Sequence, residues 1–287
     1  MGAIGETAAE RLLWGGPGLA LGEFICPPDD RRWEELNHIG SVSHVVFPQT
    51  SVAIGQIGRP RAVVNPNHVV FYNADQRFRR FVRDGRGDHS YFVTLDAAAM
   101  DEVAGGSFEA VHCLREPGLH LRIRLLVHHL HAGCADPMAV EEAVQDVLGD
   151  ALTASRSAEW PRRGRLHTRT AHRRLAEDAK AILGARALDR ISLAELAREL
   201  HASRFHLVRV FRRETGTTIA AYRTQLRVRA AIERLLAGGD DLATIAADCG
   251  FASHSHLTDT FRRTLGTPPT GLRAAVRTGA ARAPGSA

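Results

Sequence analysis

The run Leu193–Ala194–Glu195–Leu196–Ala197 comes back as Leu242–Ala243–Thr244–Ile245–Ala246, and Phe211–Arg212–Arg213 with Gly216 comes back as Phe261–Arg262–Arg263 with Gly266. The copies lie about 50 residues apart, with one inserted residue near Gly250 absorbing the slippage, so the last third of the chain repeats a short helical unit. In the first copy Ser192 stands where a side-chain oxygen takes the free N–H groups of a helix start. Leu193, Leu196, Ala197 and Leu200 then recur at helical spacing and form one apolar stripe. This helix is expected to stop near His201–Ala202. Ser203 offers a second cap, and a helix follows from Arg204 to about Thr215, closed by Gly216. Leu207, Val210 and Phe211 share its inner face, leaving Arg204, Phe205, Val208, Arg209 and Arg212 outside.

The second copy repeats the scheme. Leu242, Ile245, Ala246 and Cys249 form the stripe, Gly250–Phe251 makes the turn, and Ser253 caps a helix buried through Leu257 and Phe261. His254, Ser255, Thr258 and Asp259 are expected to face outward, and Arg262 and Arg263 suit phosphates better than bases. Between the copies, Ala221 to Ala237 reads as one long helix closed by Gly238–Gly239. At 1.5 Å per residue, about 16 residues span about 24 Å. Adding the width of each unit brings the separation near one turn of DNA, about 34 Å. Two short helices joined by a tight turn form a helix-turn-helix, whose second helix enters the major groove. One chain is thus expected to present helices near 203–215 and 253–265 to successive major grooves.

The segment from about Thr170 to Arg273 resembles the DNA-binding domain of the AraC/XylS family of transcriptional regulators. The resemblance is carried by Ile245–Ala246, Cys249–Gly250–Phe251, Ser253, Ser255, Leu257, Phe261–Arg262, Gly266, Pro268–Pro269 and Arg273. Two positions depart from the family pattern. Leu257 stands where an aromatic is usual, and Asp259 stands where a basic or neutral DNA contact is expected. The resemblance implies a sequence-specific regulator of promoter DNA that responds to a small effector and contacts RNA polymerase. Nothing in the residues distinguishes activator from repressor. The candidate DNA contacts are Ser203, Arg204, Phe205, Val208, Arg209 and Arg212 in the first unit, and Ser253, His254, Ser255, Thr258 and Arg262 in the second. Arg209 is the leading base reader, since arginine can bond guanine O6 and N7 together. Phe205 suits a thymine methyl or a half-buried packing role. The competing reading of these arginines is as ordinary solvated helix charges.

Charge divides the chain in the same place. From Arg156 onward there are 24 Arg/Lys and 12 Asp/Glu, a balance of +12, whereas residues 1–155 balance at −7. The net +5 averages two unlike halves. The basic half can neutralise phosphates, and the acidic half would be repelled by DNA. The expected domains are a sensing domain over 1–155, a polar Arg-rich linker over 156–168 broken by Pro161 and Gly164, a double helix-turn-helix domain over 169–275, and a frayed tail over 276–287. No apolar run approaches membrane-spanning length and no signal core follows Met1. The four cysteines, Cys26, Cys113, Cys134 and Cys249, lack metal-type pairing, so a reducing cytoplasm is the expected location.

The first half carries short β-like runs: Val42–Phe47, Ser51–Ile57, Val69–Tyr72, Arg77–Val82 and Tyr91–Leu95, punctuated by Pro48, Gly58, Pro60, Pro66 and Asp84–Gly85. Strands at this spacing predict a small barrel or jelly roll. From Leu121 the pattern turns helical, with Arg122–His131 and then Met138–Leu152, whose Val140, Val144, Val147, Leu148 and Ala151 share one face. The expected fold class is therefore α+β: a cupin-like barrel with trailing helices, followed by an all-α domain. A barrel with a helical pair also resembles the sensor domains of the AraC family, which implies an effector inside the barrel and a homodimer through the Val140–Ala151 helix. The alternative is that this helix packs on its own barrel.

The competing class is an enzyme, a cupin-like metal catalyst in the barrel with the DNA-binding domain serving as a tether. His129–Leu130–His131 has the spacing of cupin metal sites, but that spacing needs a strand and here falls in a helical stretch. His128, His131 and Cys134 could instead share one side of a helix end as a metal sensor. His38, His44, His68 and His89 read as surface or hydrogen-bonded histidines, Arg115–Glu116 and Glu141–Glu142 as solvated charges, and Gly85–Arg86–Gly87 as a turn. No catalytic constellation, metal site or cofactor is expected.

Overall fold

Successive side chains of a strand point to opposite faces. In the computed structural model, which describes residues 9–83, 85–133, 136–157 and 166–278, this alternation builds two antiparallel sheets. The larger has the strand order β1 (Ala9–Gly16), β2 (Leu19–Cys26), β9 (Asp88–Leu95), β4 (Ser43–Pro48), β7 (His68–Tyr72), β10 (His112–Leu114). The smaller runs β3 (Asn37–His38), β8 (Arg77–Val82), β5 (Val52–Gln56), β6 (Ala62–Val64). The five β-like runs of the sequence are β4, β5, β7, β8 and β9. Val52, Ile54, Val64 and Phe78 of the smaller sheet meet Val70 and Tyr72 of the larger, with Trp33, Ile39 and Val46 packed against them. On the other face of the larger sheet, Val45, Phe47, Val69, Phe71 and Val93 are also buried. They lie beneath α2 (Pro117–His131) and α3 (Pro137–Ser157), with Arg124 of α2 bonding the Tyr91 hydroxyl. The short α1 (Ala97–Ala104) follows β9, capped by Asp96 Oδ1 accepting from the Ala99 N–H at 2.9 Å.

Among the buried polar residues of this sandwich are two arginines. Arg80, on the inner face of β8, reaches Asp88 Oδ2 at 3.2 Å and lies 4.4 Å over the Phe24 ring. Arg115, expected to be solvated, is 1% exposed. Its Nε donates to the Pro66 carbonyl at 2.6 Å and its Nη2 to the Pro48 carbonyl at 3.2 Å, because the junction between β10 and α2 passes beneath both loops. Val140, Val144, Val147, Leu148 and Ala151 are each at most 2% exposed, turned toward α2 and β10. That stripe is spent on its own domain, and the pairing of subunits through it is set aside.

The chain divides into two compact units, one built on residues up to Ser157 and one on residues 158–273. The second begins with α4 (Leu166–Ala185), which packs on α6 (Arg204–Thr215). Around these lie α5 (Leu193–Glu199), α7 (Ile219–Ala237), α8 (Leu242–Asp248), α9 (His254–Leu265) and α10 (Pro269–Thr278). Two expected boundaries move. Helix α3 reaches Ser157 and α4 opens at Leu166, so the linker expected over 156–168 is helical at both ends. From Leu166 to Leu183 no glycine or proline interrupts a helix. Helix α10 runs to Thr278, into the expected tail, because Ala274–Ala275–Val276 offers no stop signal. The rest of that linker (158–165) and tail (279–287) lies outside the described residues.

Candidate nucleic-acid interface

Each unit is built from the same local devices. Ser192 Oγ accepts from the Glu195 N–H at 3.1 Å while Glu195 Oε2 accepts from the Ser192 N–H at 2.7 Å, a reciprocal cap that starts α5. In the second unit Asp241 caps α8, accepting from Ala243 and Thr244 N–H at 2.7 and 2.8 Å. Each scaffold helix then ends on one residue in the left-handed region, His201 at φ 50° and Gly250 at φ 73°. The bonds there correspond one to one: Ala202 N–H donates to Ala197 O at 2.9 Å, and Phe251 N–H to Ala246 O at 2.8 Å. Ser203 and Ser253 next accept from His206 and His256 N–H at 3.2 and 3.1 Å, opening α6 and α9. Gly216 and Gly266 close these helices at φ 73° and 71°. The hydroxyls of Ser203 and Ser253, two of the candidate contacts, thus serve as caps.

Burial fixes which face each helix presents. Leu207, Val210 and Phe211 on α6, and Leu257, Thr260 and Phe261 on α9, are each at most 1% exposed. Arg204, Phe205, Val208, Arg209 and Arg212 are all exposed and share the opposite face of α6. Phe205 is 87% exposed, far beyond what a packing role allows. The five equivalent positions on α9 are His254, Ser255, Thr258, Asp259 and Arg262. All are exposed except Thr258, which is half-buried with its hydroxyl oxygen shielded from solvent. The Leu193 end of the α5 stripe is 38% exposed, so Leu196 and Ala197 carry its packing.

The two faces differ in charge. Arg209 has Asp259 as its counterpart, so three arginines on α6 face one arginine and one aspartate on α9. Asp259 Oδ1 lies 3.9 Å from Arg262 Nη1, both well exposed, a pair of the kind that contributes little stability. The first face is a cation array, and the second is close to neutral. Sequence reading missed the role of Arg223 and Arg227 on α7, treated there only as part of a spacer. Their guanidinium groups bond main-chain carbonyls of the turn between α4 and α5. A pair of arginines one turn apart is visible in sequence, but their acceptors are not.

The histidines of the sandwich have local partners. His89 Nε2 meets Glu23 Oε1 at 3.0 Å, His38 Nε2 meets Asp75 Oδ1 at 3.4 Å, and His68 Nδ1 lies 3.2 Å from Asn65 Oδ1. His129 and His131 are on α2, where burial lowers both their pKa values. Among the described residues no cluster of three or more His, Cys, Asp or Glu is arranged for a metal ion. Cys134, the third member of the candidate set with His128 and His131, lies outside the described residues. Burial pushes the thiols of Cys26 and Cys249 up to about 11 and that of Cys113 up to about 12, so none is a poised nucleophile. Among the described residues no helix is long and apolar enough to cross a membrane.

Residues 196–275, spanning both recognition helices, match the family model of a helix-turn-helix domain. No curated protein matches the chain significantly. Among solved structures, the chain is similar to the DNA-binding domain of AdpA, a global transcriptional factor, in complex with a target DNA. That pair is 32% identical over 36% of this chain and 93% of that one, with a TM-score of 0.34. An AraC-type transcriptional regulator from Chromobacterium violaceum is 25% identical over 37% of this chain and 96% of that one, with a TM-score of 0.35. ToxT from Vibrio cholerae O395 is 11% identical over 94% of this chain and 99% of that one, with a TM-score of 0.35. With two capped helix-turn-helix units in place and the family model matched across both recognition helices, the chain carries an AraC-type helix-turn-helix domain and is a DNA-binding transcriptional regulator.

Proposed function

We propose that this chain is a cytoplasmic, effector-responsive regulator that reads promoter DNA in two successive major grooves, with α6 supplying most of the base readout. The observation that carries this reading is the equivalence of two exposed helix faces, set by matching caps and turns, of which one carries three arginines and the other a balanced pair. Arg209 is the base reader on α6, and Phe205 fits a thymine methyl. Arg204, Arg212 and Arg262 serve phosphates, while His254 and Ser255 carry what readout α9 retains. A small effector is received between the two sheets, where the Arg80–Asp88 pair sets polar groups beside Phe24 and the half-buried Trp33. Contact with RNA polymerase comes from the family likeness.

The test is selection of bound sequences from random DNA by the full chain. Two boxes about one helical turn apart, the box under α6 being the more sharply defined, are expected. No enrichment at any salt concentration would overturn the reading.

A further inference from the structure

We infer that Arg227, with Arg223 beside it, clamps the two recognition units into one rigid body and so fixes the spacing at which their helices meet DNA. The spacing consequence rests on the two-groove reading above; the clamp itself does not. Arg223 and Arg227 stand one turn apart on α7. Arg223 donates from Nε to Ala187 O at 3.2 Å, from Nη1 to Ile191 O at 2.8 Å, and from Nη2 to Asp189 O. Arg227 donates from Nε to Ala187 O at 2.8 Å and from Nη2 to Asp189 O at 3.0 Å. Two planar guanidinium groups therefore hold three carbonyls of the turn between α4 and α5, fixing the first unit to α7.

The second unit meets the same place. A Cβ built on Gly250, in the turn between α8 and α9, would lie 2.7 Å from Arg227 Nη2 and 2.8 Å from Leu188 O. The turn of the second unit thus sits directly on Arg227 and on the first unit's α4–α5 turn. This seam matters because the covalent joint is soft. Helix α7 hands over to α8 through Gly238 and Gly239, at φ 74° and 90°, and a glycine pair constrains direction poorly. Besides the packing of α7 on α8 and α9, a further brace, Arg234 to Asp240 at 2.9 Å and Asp248 at 2.6 Å, is an exposed cluster. Arg227 touches both units from inside the seam.

The experiment measures the distance between spin labels in the full chain without DNA. Labels go on Phe205→Cys and His254→Cys, exposed on α6 and α9, in a Cys134→Ser background. The parent should give one narrow distance distribution, and Arg227→Gln one at least about twofold broader, with helix content unchanged by circular dichroism. Gly250→Ala approaches the seam from the other side and should broaden it too, which decides the matter if Arg227→Gln fails to fold. An unchanged width in the folded variants would overturn the clamp. A DNA panel with box spacing altered by one base pair, about 3.4 Å along the axis, reads the consequence. The parent should lose about tenfold or more on each altered spacing and Arg227→Gln about threefold or less. A parent indifferent to spacing would sink the two-groove reading and leave the label distances to judge the clamp.

Discussion

Arg209 and Asp259 occupy the same place on two copies of one helix, and the difference between them is the sharpest chemical statement in the molecule. A guanidinium aimed into the major groove can take both acceptors of a guanine, whereas a carboxylate can only accept, as from a cytosine amino group. Arg209→Ala is therefore expected to weaken binding to the selected site by about 1–3 kcal/mol and to leave binding to unrelated DNA nearly unchanged. Equal loss on both DNAs in a titration would demote Arg209 to a phosphate contact. Asp259→Asn removes a negative charge beside the phosphate backbone while keeping the shape. Its expected effect is tighter binding to all sequences, measured as a higher affinity for non-specific DNA at fixed salt. No change would mean that α9 stands away from the duplex. Phe205 belongs with Arg209 in sequence and in structure, yet only the 87% exposure separated the groove-facing reading from the packing one.

Elements became legible wherever their determinants are local. The caps at Ser192, Ser203 and Ser253, the closing glycines 216 and 266, and the apolar positions between them lie within a few residues of each other, so the repeat could be read helix by helix. Ser203→Ala, which deletes the oxygen accepting from His206, should cost about 1 kcal/mol of stability in the helical unit, seen as an earlier urea transition by circular dichroism. A shift indistinguishable from zero would mean that packing of Leu207 and Phe211 alone holds the start of α6. Elements whose determinants are distant were not legible. β1 pairs with β2 and exposes most of its side chains, so it shows no alternation, and its strand character comes from its neighbour. Arg115 looks like a surface charge until Pro48 and Pro66 are folded over it. The Arg-rich start of α4 resembles a linker because helices with mainly polar sequence differ from coil only in what they pack against.

At the scale of the whole chain, the sandwich carries a pH response of its own. In the sandwich, desolvation lowers the pKa of His44 and of His129, so folding favours their neutral forms. The sign follows from linkage. Above about pH 6.5, the ordinary histidine value, both the folded and unfolded chains hold these rings neutral and the stability is fully present. As pH falls below that value the unfolded chain takes up protons first, and stability is lost until the depressed folded values are reached. The upper bound is about 1.4 kcal/mol per histidine for each pH unit of that window. Trp14 and Trp33 both lie in this unit, so tryptophan fluorescence in a Trp160→Phe background follows it selectively. Thermal unfolding read this way is expected at a lower temperature at pH 5.5 than at pH 7.5, and His44→Gln should flatten the difference. An equal transition temperature at both pH values would show that water reaches His44 and His129 freely enough to protonate them without unfolding.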